Sequence, residues 1–250
     1  MAQTLTTDAV VLRRSPVREW DRRVVVFTRD RGKVPTMAKG VQRITSKNVG
    51  HLEPGYRISV MIAWSQGMEK LASAKMLEPF LELRNTQGGS SLLAYVLELV
   101  EESTHDHHPD PWIYDHLVTV LRQLNQSFVQ TSGSVGDRER LWVRIFSLQI
   151  LSHIGNLAPL GQCLTCQKPL RGNVASHPSD YGFVHADHQL PSSHPVPQDV
   201  YELLLSLHVL PLQEFARVPL EHAPLRETIP YCDDMIHGAL QHQLQSASFV

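Results

Sequence analysis

Two pairs of metal-seeking side chains stand out in this chain. Cys163-x-x-Cys166 is followed, after eighteen residues, by His185-x-x-His188. Two tight turns that each present two ligands can reach one tetrahedral ion without strain. Zn2+ suits two thiolates and two imidazoles, and four protein ligands leave no position for a substrate, so such a site is structural. A turn at Asp180-Tyr181-Gly182 stands just before the second pair. The histidines are closer together than the roughly three to five intervening residues usual in zinc sites. The competing reading is a lone cysteine pair beside surface histidines, in a chain that has 14 of them. A thioredoxin-like redox role fits less well, because the cysteines follow a helical segment and Pro159-Leu160-Gly161, not a strand of a βαβ unit.

Other reactive types are less organised. His105-Asp106-His107-His108 is flanked by Pro109 and reads as an interhelical connection, since adjacent loop residues seldom converge on one ion. Cys232 stands alone and reads as a small buried hydrophobe. Trp20, Tyr56 and Trp64 could stack on bases, although Tyr56 and Trp64 share the parity of Ile58, Val60 and Ile62 and read as core. The chain has no phosphate loop, dinucleotide fingerprint, nucleophile elbow or H-E-x-x-H helix. We therefore expect no enzyme and no small-molecule substrate. A zinc-dependent hydrolase would need an open ligand position and a general base near the Cys163 to His188 module.

The charge distribution suggests a partner. Residues 1 to 80 carry 14 Lys and Arg against 7 Asp and Glu, a net of +7, whereas residues 81 to 250 carry 9 against 18, a net of −9. From Arg13 to Lys47, 11 cations face only Glu19, Asp21 and Asp30. Clustered cations attract polyphosphate and release its counterions, so nucleic acid is weighed against an ordinary solvated face. No stretch approaches the roughly 20 apolar residues of a membrane span, and the first ten residues lack a secretory pattern, so a cytoplasmic protein is expected.

The elements that must position these residues are of two kinds. Up to residue 80 the chain reads as about five short strands: Ala9 to Leu12, Val24 to Phe27, Val34 to Ala38 after the turn Arg29-Asp30-Arg31-Gly32, Tyr56 to Trp64 at period two, and Leu71 to Leu77. A polar stretch, Gly40 to Gly50, separates the third from the fourth. That count and span fit a small Greek-key barrel such as the OB-fold. After Pro79 the period becomes 3.6, with helices through Leu92 to Val100 and Leu117 to Leu124. The strongest helix runs from Asp137 as N-cap to a stop at Gly155-Asn156, and further helices cover Pro197 to Leu207 and Asp233 to Leu244. Between them, residues 157 to 197 hold two Cys, four His, six Pro and three Gly with little periodicity, as in an insert held by something other than a core. The expected class is α+β: an OB-fold barrel over 1–80, then an α-helical domain over 81–250 with an embedded zinc-finger-like module at about 157–197.

Several segments, in this order, make the chain similar to the RecO family of recombination mediators. They are Ala9-Val10-Val11-Leu12-Arg13, Asp21-Arg22, Thr28 to Lys33, Ala38-Lys39-Gly40, Leu52-Glu53-Pro54, Phe146 to Gly155 leading into Cys163-x-x-Cys166, and the closing Ser246 to Val250. Many members carry Cys-x-x-Cys where this chain has His185-x-x-His188, and some lack the metal. The resemblance implies an N-terminal OB-fold, binding of single- and double-stranded DNA, annealing of complementary strands, and work with RecR and single-strand-binding protein in loading RecA at the nucleoid. Arg13, Arg14, Arg22, Arg23, Lys39, Arg43 and Lys47 are the candidates for phosphate contact. Arg140 and Arg144, one turn apart beside Trp142 and Phe146, are candidates for the acidic tail of single-strand-binding protein, weighed against pairing with Glu98, Glu101 or Glu102. The alternative function is a non-catalytic adaptor whose acidic helices dock a partner and whose barrel touches DNA incidentally.

Overall fold

The structure, a computed structural model, describes residues 3–17, 19–41, 50–65, 68–130, 135–177, 181–215, 217–218 and 222–250. The chain divides into two compact units, Met1–Gly133 and Ser134–Val250. The change from strands to helices falls near residue 80, but the first compact unit runs on through two long helices.

Five strands open the first unit: β1 (Gln3–Pro16), β2 (Arg22–Thr28), β3 (Gly32–Ala38), β4 (Arg57–Ser65) and β5 (Met68–Glu78). They close a barrel in the order β1-β2-β3-β5-β4, the OB-fold arrangement. Closure depends on the length of β1. Its first part pairs antiparallel with β4, from Gln3 opposite Trp64 to Val10 opposite Arg57. Its second part pairs with β2, from Ala9 opposite Thr28 to Pro16 opposite Arg22, with a register shift between Val11 and Arg13. Such a shift lets one strand bend around a barrel and serve two edges. The remaining seam joins β3 to β5 in parallel, at Met37 opposite Lys70.

The barrel interior is filled by small β-branched and aliphatic residues, among them Val11, Val24, Val26, Val34, Ile58, Val60 and Ile62. On β4 the burial alternates as the period-two pattern requires. On β1 and β2 it does not: Val10, Leu12, Val25 and Phe27, of opposite parity, are buried as well. On β1 the first long helix accounts for this, because it packs against that strand. Strands covered on both faces read as continuous apolar runs, which is how Ala9 to Leu12 and Val24 to Phe27 look.

After a short helix α1 (Leu81–Arg84), the helical part of this unit comprises α2 (Gln87–Ser103) and α3 (Pro111–Gln130). The expected stripes, Leu92 to Val100 and Leu117 to Leu124, are buried. The loop between the two helices departs from expectation. Residues 104–110 run along β3, with a parallel bridge between Lys33 and Asp106 and a bond from the His107 N–H to the Lys33 carbonyl. Lys33 Nζ donates to the Glu101 and Thr104 carbonyls at the end of α2, both at 2.6 Å. An ammonium group there satisfies orphan carbonyls and complements the helix dipole. Gly32 makes the approach possible: its φ is 66°, and a Cβ would lie 1.9 Å from the His108 carbonyl oxygen. Arg57 on β4 bonds Asp8, Glu78 and the Tyr114 hydroxyl on α3, while Arg122 of α3 reaches both oxygens of Glu78 at 2.5 and 2.7 Å.

In the second unit α4 (Asp137–His153) is buried along almost its whole length from Leu141 to Leu151. Its N-cap is Gly136, whose N–H donates to Glu139 Oε2 at 2.9 Å. Asp137, expected as the cap, is the first helical residue and pairs with Arg226 at 3.2 Å. Gly155, at φ 79°, follows the helix as expected. A three-stranded sheet of β6 (Val174–Ser176), β7 (Phe183–His185) and β8 (Pro195–Val196), in the order β7-β6-β8, forms the insert. Helices α5 (Gln198–Val209), α6 (Leu212–Phe215) and α7 (His222–Leu240) follow, and α5 and α7 both pack on α4. The last helix was expected from Asp233 but begins at His222, with Pro230 inside it. Proline in that position reads as a helix breaker from sequence; here packing on α4 outweighs the lost hydrogen bond. No helix among the described residues is long and apolar enough to cross a membrane.

Two predictions follow from the first unit. Gly32→Ala is expected to lower the thermal midpoint, because both the positive φ and the His108 contact oppose a side chain. Gly161→Ala, with no atom near the added Cβ, serves as the control and should leave the midpoint within a degree or so. The second concerns pH. Hydrogen bonding from Arg122 is the largest influence on Glu78 and, against the opposing effect of burial, holds its carboxyl below the usual value of about 4.5. A lowered carboxyl stabilises the fold above the unfolded value, and that contribution disappears as pH falls through the lowered one. Glu78→Gln should therefore reduce stability at pH 7 and flatten its fall on acidification; parallel urea titration curves for the two proteins across that range would refute the assignment.

Candidate metal centre and nucleic-acid interface

The cysteine turn is built by the backbone. The Gln167 N–H donates to the Cys163 carbonyl at 2.8 Å, and the Cys163 N–H to the Lys168 carbonyl at 2.9 Å. Gln167 adopts φ 60° to complete the turn. The Leu164 N–H bonds the Phe183 carbonyl at 3.0 Å, which ties this turn to β7. His185 ends β7, and His188 lies in the 3-10 turn Ala186–His188. The short histidine spacing is thus met by one tight turn that folds His188 back toward the cysteines.

One ligand atom from each of Cys163, Cys166, His185 and His188 lies within 4.8 Å of all the others. Cys163 Sγ is 3.4 Å from His188 Nδ1, and Cys166 Sγ is 3.5 Å from His185 Nδ1. With metal bonds of about 2.3 Å to sulfur and 2.0 to 2.1 Å to nitrogen, a tetrahedral angle sets the S to N edge near 3.6 Å, so both edges have the size a tetrahedral ion needs. His185 Nε2 is 3.2 Å from the Pro169 carbonyl. A proton there, donated to that oxygen, leaves Nδ1 as the lone-pair atom facing the cluster, the usual outer-shell arrangement of a metal histidine. Burial opposes ionisation of the Cys163 thiol, yet hydrogen bonds from His188 and from the backbone at Cys166, His185 and Thr165 outweigh it and bring its pKa down to about 5. Thiolate is the form that binds metal. The donor set and its geometry therefore fit a closed, four-ligand metal centre.

Among the described residues no other group of three or more His, Cys, Asp or Glu converges in this way. The His105 to His108 segment forms the loop along β3. Cys232 is fully buried on α7, and burial pushes its thiol pKa up, which agrees with an inert hydrophobe.

The expected phosphate contacts are spread over the barrel unevenly. Arg13 pairs with Glu101 at 2.7 Å and Arg14 with Glu53 at 2.5 Å. Exposed pairs of this kind are worth about 0.2 to 1 kcal/mol, so an incoming phosphate can displace them. Arg22 is half-buried and donates to the Asp21 carbonyl, whereas Arg23 and Lys39 are exposed. Arg43 and Lys47 lie outside the described residues. Sequence reasoning passed over Arg31, whose guanidinium sits 4.9 Å from the centroid of the Trp64 ring. Trp64 was read as core from its parity. It packs on the core with one side only, at the end of β4, and its other side helps line an open groove of about 480 Å³ with Arg23, Pro35, Met37, Glu69 and His107. The strand ends there, so parity no longer implies burial.

Arg144 is a correction. It is buried on α4 and forms a two-point pair with Asp233 on α7, at 2.7 and 3.2 Å, with a further bond to the Arg140 carbonyl. A guanidinium held in this way inside a helix contact is not offered to an acidic tail. Its carboxylate partner here, Asp233, stands on α7 of the same unit. Arg140 is exposed.

The chain matches the family model "Recombination protein O N terminal" over residues 1–80 and "Recombination protein O C terminal" over residues 89–248. A protein of Desulforudis audaxviator named DNA repair protein RecO is 36% identical over 160 residues, which cover 64% of this chain and 60% of the relative. A protein of the same name from Geobacter sulfurreducens is 27% identical over 243 residues, 97% of this chain and 96% of the relative. Another, from Shouchella clausii, is 27% identical over 71% of this chain and 66% of the relative. With both family models matching the barrel and the helices in order, the chain belongs to the RecO family of DNA repair and recombination proteins.

Proposed function

We propose that this chain binds single- and double-stranded DNA on its barrel, anneals complementary strands, and carries a structural Zn2+ at Cys163, Cys166, His185 and His188. The observation that carries the reading is the cation excess of the barrel, net +7 over residues 1 to 80, with Arg23, Arg31 and Lys39 exposed on it. Annealing on such a surface requires no bond-making. Cations that track two phosphate backbones lower their mutual repulsion and raise the rate at which complementary bases meet. Arg13, Arg14, Arg22, Arg43 and Lys47 belong to the same proposed surface. The paired arginines contribute by exchanging a carboxylate for a phosphate. Family membership supports the further proposals that the protein works in the cytoplasm with RecR and single-strand-binding protein to load RecA, and that Arg140 forms part of a docking surface for an acidic tail.

A fluorescence annealing assay with complementary oligonucleotides, with and without RecR, tests the main proposal. Steep loss of affinity with salt is expected, since each phosphate contact on a single strand adds about 0.7 to the logarithmic slope. Arg23→Ala with Lys39→Ala should lower that slope and weaken binding to all sequences alike. A salt-insensitive interaction would point to the adaptor reading, which the net charge of −9 over residues 81 to 250 favours.

For the metal, elemental analysis of the purified chain is expected to find about one zinc per molecule. Cys163→Ser and His188→Ala should each release it and lower the thermal midpoint, because the small β6 to β8 sheet has little core of its own. Zinc retained by a Cys163→Ser, His188→Ala double variant would rule out this ligand set.

A further inference from the structure

We infer that the groove at the open end of β4 binds an unpaired nucleobase of single-stranded DNA, stacked on Trp64. This rests on the reading of the barrel as a DNA-binding surface and goes further, from backbone contact to base contact.

The groove is composed unlike a phosphate track. Its walls are an indole, a proline ring and a thioether, from Trp64, Pro35 and Met37, and its polar residues are Arg23, Glu69, His107 and Thr36, whose hydroxyl donates to the Val24 carbonyl. A carboxylate repels phosphate, so Glu69 argues against a backbone path through the floor. It suits the edge of a base, whose ring N–H and amino groups are donors. Glu69 also fixes the indole: Trp64 Nε1 donates to Glu69 Oε1 at 2.9 Å, and His107 Nδ1 is 3.6 Å from the same oxygen. The second carboxylate oxygen is left for a ligand donor. His107 reaches the groove because the loop along β3 holds it there, with φ 62° and its N–H on the Lys33 carbonyl.

The Trp64 face is covered by Arg31, an exposed guanidinium 4.9 Å from the ring centroid. That separation leaves no room for a base between them. An exposed cation over an indole is held less strongly than a base stacked on one. A base therefore takes the place of Arg31, and the released guanidinium, with Arg23, meets the flanking phosphates. The groove's volume, about 480 Å³, admits one base with its sugar.

The test uses the full-length protein and fluorescence anisotropy with two labelled strands: a thymidine 20-mer, and a strand of the same length with a tetrahydrofuran abasic residue in place of every thymidine. Both carry the same phosphates. The unmodified strand is expected to bind at least about fivefold more tightly, with equal salt slopes. Trp64→Leu should weaken binding of the unmodified strand to the level of the abasic one and leave the abasic strand unaffected. Glu69→Gln, which keeps the bond to the indole but adds an amide donor, should change the ranking of homopolymers while leaving abasic binding unaltered. If Trp64→Leu fails to fold, Trp64→His, which retains a smaller stacking face, and Glu69→Gln carry the test. Equal affinity of the wild-type protein for both strands overturns the base site while leaving the DNA-binding reading intact. Absence of binding to either strand at low salt overturns both.

Discussion

The end of helix α2 is held by an ammonium group that belongs to the barrel. Lys33 Nζ sits between the Glu101 and Thr104 carbonyls at 2.6 Å from each, and most of the first unit follows from that contact. It fixes where the helix stops, and so where the loop to α3 must start. That loop then runs along β3, close enough that position 32 must be glycine-like. Because the helices press on the β1 side, that strand is buried on both faces. The open groove falls where β2, β3 and the ends of β4 and β5 meet. His107 is carried into it by the same loop. One lysine, counted by charge alone among the phosphate-seeking cations, in fact organises the surface on which the others act.

What the sequence made legible was whatever left a local signature. The alternation at Ile58, Val60 and Ile62, the turn before β3, the apolar stripe of α4 and the spacing of the cysteines are short-range patterns, and each reappears in place. What it hid depended on contacts between distant segments. Nothing near residue 105 indicates that the chain will lie along a strand seventy residues earlier. Arg144 looked available because its partner, Asp233, is on another helix. The start of α7 was missed because Pro230 breaks the local rule while packing on α4 restores the helix. Trp64 shared the parity of core residues, and only the end of the strand separates it from them.

The Cys163, Cys166, His185 and His188 cluster shows a different limit. A histidine pair with two intervening residues is tight for a single ion, and spacing alone left zinc and a lone cysteine pair both open. The 3-10 turn at Ala186–His188 resolves the geometry, since it reverses direction within three residues and brings both imidazoles onto the cysteine turn. The Pro169 carbonyl, in turn, selects the nitrogen of His185 that faces the sulfurs. A backbone oxygen that orients a ligand in this way has no sequence pattern, because any residue supplies a carbonyl.

The doubled pairing of β1 bears on how the chain reaches this fold. Residues 3 to 10 pair with strand β4, whose partners lie between positions 57 and 64, so nearly the whole of the barrel segment must be present before that edge can zip. The β2–β3 hairpin needs only a local turn and can form early. Closing the β1–β4 edge is a long-range event with a large loop-closure cost, and such contacts slow folding more than they weaken the final state. In the order of synthesis β1 comes first; in the order of pairing, one of its two edges stays open until β4 has been made.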